Sequence, residues 1–208
     1  MRTTKQGGGA ILHAVLVAVP VVLALVVGCS SGSGGEDADA GAGAADAADE
    51  GSSTTEPEVV DVEVGADAFK PLADMTPVRE FFVDSVAGDL DATLEVANDP
   101  EGGTYPVGTV IQLIPTEAMV KRAPGFDPAS NDWEFFTLDV SPEGTTIVDR
   151  GGSDIVSPFS GAPCVSCHSQ TEPQFDFVCE DDHGCDPLPF GDDVIVGIQQ
   201  GDPRPSGG

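Results

Sequence analysis

Positive charge is what this 208-residue chain has least of: eight Lys and Arg stand against 36 Asp and Glu, for a formal net charge of −28. That balance excludes nucleic acid, because a polyanion has no counterions to release to an acidic surface and is repelled by it. Anionic lipid is an equally poor partner. Such a charge keeps an exposed protein soluble, and it could also steer a cationic substrate or a basic redox partner. Aromatic residues are missing altogether from Ser30 to Pro57, a stretch of Gly, Ala, Ser, Thr, Asp and Glu closed by Pro57. Nothing there can nucleate a core, so residues 29–57 are expected to be a disordered acidic tether, flexible through glycine and serine and extended by self-repulsion.

At the amino terminus Arg2 and Lys5 precede an apolar run from Ala10 to Val27, followed by Gly28-Cys29. Its length alone would admit a membrane span. The small residue before Cys29 favours another reading: the segment resembles the signal peptide of bacterial lipoprotein precursors. That resemblance implies cleavage after Gly28, acylation of Cys29 and, with Ser30 next, an exported protein on the outer membrane. An ordinary anchor helix is the alternative. The expected organisation is a leader over 1–28, the tether over 29–57, one folded domain over 58–200 and a disordered tail over 201–208.

Cys164-Val165-Ser166-Cys167-His168 is the pattern of covalent haem attachment. Residues three apart on a helix share a face, so both sulfurs can meet the two vinyl groups along one porphyrin edge. His168 would then ligate the iron, its other ring nitrogen donating to a carbonyl or carboxylate. A dithiol redox pair or half of a zinc site stays open. Of the five cysteines, Cys29 would take lipid and Cys164 and Cys167 haem, which leaves Cys179 and Cys185 for a disulfide closing a five-residue loop, worth about 2 kcal/mol. A zinc site would need all four later cysteines, and the second pair has the wrong spacing.

The residue pattern predicts a mainly β, α+β domain: a small antiparallel sheet with flanking short helices, one of them haem-bearing near the carboxyl end. Alternating Val60, Val62 and Val64 suggest a strand, and Thr76-Pro77 with Val78, Phe81 and Phe82 a helix. Ala92–Ala97 reads as a strand, as do Val107–Ile114, Trp133–Asp139 and, after the Pro142-Glu143-Gly144 turn, Thr145–Asp149. Trp133 and Phe135 would face one side of the sheet, Phe136 and Leu138 the other, so both need cover. The attachment segment should be a short helix capped near Ser160 and stopped by Pro173. Phe175, Phe177 and Val194–Ile198 suggest a last sheet region.

Tyr105-Pro106-Val107-Gly108-Thr109-Val110-Ile111, Asp132-Trp133-Glu134-Phe135-Phe136, Cys164 to His168, and Asp176-Phe177-Val178 follow one another in an order that resembles cytochrome P-460 and the related cytochrome c′-beta proteins. The resemblance implies one haem c, five-coordinate iron with His168 proximal, and an open side for nitric oxide or hydroxylamine. Cytochrome P-460 proteins oxidise hydroxylamine with a haem cross-linked to a lysine near the strand that here reads Val110 to Ile114. That strand has no lysine, and beyond the leader only Lys70 and Lys121 could serve. The c′-beta comparison implies instead an apolar gas-binding pocket, with Phe81, Phe82, Phe135 and Phe136 as candidates. Electron transfer is a second class of function and would draw a sixth ligand from His183, Met75 or Met119. A third is a haem-free surface lipoprotein with disulfides Cys164–Cys167 and Cys179–Cys185. The acidic group Asp181, Asp182, His183 and Asp186 matches no calcium loop and reads as a solvated turn.

Overall fold

The structure, a computed structural model, describes residues 59–207; the expected leader, Cys29 and the acidic tether lie outside the described residues. Six strands form a single antiparallel sheet in which spatial order follows chain order: β1 (Thr76–Val78), β2 (Phe81–Ser85), β3 (Thr109–Gln112), β4 (Glu117–Lys121), β5 (Trp133–Ser141) and β6 (Gly144–Gly151). Three short helices accompany it, α1 (Leu90–Asn98), α2 (Cys164–His168) and α3 (Asp192–Gln200). The fold is therefore mainly β of the α+β class. Among the described residues no helix is long and apolar enough to cross a membrane.

Strand alternation splits the apolar residues between two cores. Val83, Ile111, Met119 and Phe135 are paired across β2 to β5 and form a row on one face, joined there by Trp133 and by residues of α1 and α2. Val110, Ala118, Val120, Phe136 and Leu138 face the other way, covered by Val64, Phe69 and Leu72. Both faces of β5 are covered, as its aromatic alternation requires. Each large side chain buried here contributes roughly 1.5–3 kcal/mol of transfer free energy.

Several elements differ from the sequence expectation. Residues 60–64 are not a strand; their polar groups are met by arginines instead, with Arg122 donating to the Val62 carbonyl and Arg150 to that of Val64. The expected helix at 76–82 is the β1–β2 hairpin, turned at Arg79 with φ 49°. The expected strand at 92–97 lies inside α1. Asp89 caps it by accepting from the Ala92 amide, and Leu90, Leu94 and Ala97 fall on one helical face toward the core. Phe175 ends a 3-10 turn rather than a strand, and Val194–Ile198 belongs to α3, where Ile195 is the buried residue. β4 has no counterpart in the expectation, since only Ala118-Met119-Val120 separates its charged ends. The closing segment differs as well: Arg204 is 5% exposed and donates to the Phe69 carbonyl, Thr145 Oγ1 and the Asp202 carboxylate.

Candidate functional site

α2 is a single helical turn because Pro163 occupies its N-cap and Ser169 closes it. Its start is pinned to the chain leaving β6, the Cys164 amide donating to the Ile155 carbonyl at 2.9 Å. Cys164 and Cys167 are both unbridged, the first half-buried and the second exposed. Together with His168 they line a half-open cleft of about 230 Å³. Phe81, Ile111, Leu113, Met119 and Phe135 form its sheet-side wall. Phe159, Leu188, Phe190 and the Cys179–Cys185 bridge line it as well, with the Phe159 and Phe190 ring centroids 4.6 Å apart.

The His168 ring leans on Phe135, centroid to centroid 5.1 Å, and its Nδ1 lies 2.8 Å from the Phe177 carbonyl oxygen. A carbonyl only accepts, so Nδ1 carries the proton and Nε2 keeps its lone pair. Burial pushes the imidazole below its ordinary pKa and favours the neutral ring a metal requires. Burial also pushes the Cys164 thiol up to about 12, with Glu117 adding to the effect. The Glu117 carboxylate is itself oriented by Ser157 Oγ, which donates to it at 2.6 Å.

The carbonyl that meets His168 sits on unusual backbone. Asp176 and Phe177 are consecutive non-glycine residues at φ 50° and 64°. The Asp176 carboxylate accepts from the Tyr105 amide (2.7 Å), Lys121 Nζ (2.6 Å) and Asn131 Nδ2 (2.5 Å), and its main-chain carbonyl accepts from Trp133 Nε1 (2.7 Å). Burial pushes the Asp176 carboxyl up, opposed by the Lys121 ammonium. The disulfide loop is anchored nearby: Arg79 grips Glu180, and the Cys179 sulfur lies 3.2 Å from the Cys167 carbonyl oxygen.

Cys164, Cys167 and His168 thus share one cleft with Phe81, Phe135 and Met119, while Phe82 packs against the opposite core and Phe136 borders the cleft but is buried in that opposite core. Met75 is buried in that opposite core as well. His183 points elsewhere, stacked on Phe175 with centroids 3.7 Å apart and its Nδ1 2.7 Å from the Val178 carbonyl. Neither lysine lines the cleft: Lys121 is held by Asp176 and Asn131, and Lys70 by Asp84. Among the described residues no group of three or more His, Cys, Asp and Glu is gathered as a metal cage. Two of the four sulfurs a zinc site would need are joined to each other. Sequence reasoning singled out Asp176 only within the phrase Asp176-Phe177-Val178 and gave it no role, and it did not find Glu117 or the Phe159–Phe190 pair. A signal for its conformation is an aspartate after a proline-opened turn, a residue type that tolerates left-handed backbone.

Two free thiols, a neutral imidazole with its Nδ1 engaged, and apolar walls form a donor set that fits a covalently held haem. Cys164 and Cys167 would carry the thioethers and His168 Nε2 the iron. No family model, curated protein or solved structure matches this chain.

Proposed function

We propose that this chain is a lipid-anchored, mono-haem c-type protein that binds or redox-processes a small nitrogen oxide, nitric oxide or hydroxylamine, at five-coordinate iron. The observation that carries the reading is the convergence of both unbridged thiols and the Nδ1-engaged His168 on one apolar cleft. Bound there, a haem supplies a one-electron couple and an open coordination position. The chain's own part is to fix the imidazole between Phe135 and the Phe177 carbonyl and to keep apolar surface around the group. Lys70 and Lys121 are both ion-paired away from the cleft, which favours ligand binding over chemistry that depends on a lysine cross-link. Export and tethering through acylated Cys29 belong to the same proposal and rest on the leader sequence.

Met119 gives the electron-transfer alternative its one specific support, since it is the only candidate sixth ligand in the cleft wall. Ferric, ferrous and carbon monoxide spectra separate the two readings when the mature domain is made in a host with cytochrome c maturation. High-spin iron that takes up carbon monoxide is expected. A low-spin, unresponsive spectrum converted to high spin by Met119→Ala would establish electron transfer instead.

A further inference from the structure

We propose that Asp176 is a positioning residue for the axial bond of His168, an inference that rests on the haem reading above. His168 is oriented by the Phe177 carbonyl, and that carbonyl belongs to a pair of L-residues in left-handed backbone. Such a pair persists only where its surroundings over-determine it. Here much of the determination comes from one side chain. The Asp176 carboxylate gathers donors from the loop before β3 (Tyr105), from the end of β4 (Lys121) and from the loop before β5 (Asn131), and Trp133 fastens the Asp176 carbonyl. The ion pair is fully inside, Lys121 and Asp176 side chains being 7% and 3% exposed, so its geometry is not averaged by solvent. The imidazole's hydrogen bond goes to Phe177 and none of those made by Asp176 goes to it. Its role is to hold the next residue's carbonyl on Nδ1.

A hydrogen bond from Nδ1 to a fixed carbonyl raises the basicity of a ligating imidazole, strengthens its bond to iron and stabilises the oxidised metal. Loosening the carbonyl should therefore weaken the axial bond and raise the reduction potential. Lys121 acquires a use in this scheme: it is the counter-charge of the carboxylate that positions the ligand's partner.

The test uses holoprotein with Asp176→Asn, which keeps the shape and removes the charge, and Asn131→Gly, which removes one donor at a position (φ 52°) where glycine is at ease. Asn131→Gly also covers the case in which the first variant fails to fold. The readouts are the iron–histidine stretching band of the ferrous protein and the midpoint potential. Asp176→Asn is expected to lower and broaden the band and raise the potential, with Asn131→Gly moving both the same way by less. Wild-type band and potential in both variants, even with a reduced melting temperature, would overturn the proposal and leave Asp176 a purely structural residue. A haem-stained gel of the wild type is run first, because a colourless wild-type band overturns the haem reading itself and this inference with it.

Discussion

Asp61 shows how single residues on this acidic chain are held. The Arg122 guanidinium hydrogen-bonds its carboxylate and holds it down to about 2, helped by the Ala123 amide. A depressed folded pKa means stability that is complete above the unfolded value of about 3.9 and lost as pH falls through about 2. The Asp61 side chain is 39% exposed, so solvent screening limits the contribution to roughly 0.5–1 kcal/mol. Asp61→Asn should therefore be less stable than wild type in urea at pH 7, with the gap closing between pH 4 and 2. A gap that stays constant across that range would show the pair to be electrostatically idle. At the same scale Cys164, Cys167 and His168 could be named from spacing alone, and they line one cleft. The carbonyl that orients His168 could not, because it is a main-chain atom placed by a left-handed pair nine residues along the chain.

Elements were legible where local pattern and tertiary role agree. The apolar β3 run, aromatic β5 and the turn at 142–144 follow from alternation and turn chemistry. The helices α1 and α3 did not, because the leucines and β-branched residues of α1 and the valines and isoleucines of α3 fit a period of two about as well as 3.6 over so short a span. The hairpin at 76–85 was obscured in the same way, with Val78, Phe81 and Phe82 fitting a helix face while Pro77 is tolerated on an edge strand. One connection matters more than any of these for the site. Gly102 has φ +77°, and a Cβ there would lie 2.3 Å from the Gln174 carbonyl oxygen, which also accepts from the Gly103 amide. This contact backs the segment that carries Asp176 and Phe177. Gly102→Ala should cost about 2 kcal/mol or more, from strained backbone plus the clash. Gly88→Ala, with φ +82° but open space around it, should cost only about 1 kcal/mol. Equal losses in thermal unfolding would mean that the contact with residue 174 does not hold the segment in place.

Across the whole molecule, one antiparallel sheet separates two cores with different work. The face bearing Phe69, Leu72 and Phe136 is closed by residues from both ends of the described chain, including Arg204. On the other face the core continues into the cleft beneath α2 and the disulfide loop. Glu80, Glu117, Asp181 and Asp186 are among the residues lining the cleft, a setting that repels anions and admits neutral or cationic ligands. The account depends on covalent haem at α2. Peptide mass spectrometry on the mature protein, produced where cytochrome c maturation is active, tests that claim directly. The account predicts a fragment containing Cys164 and Cys167 that carries one haem and keeps it through acid extraction. The same fragment recovered without haem, as two free thiols or an internal disulfide, would contradict it.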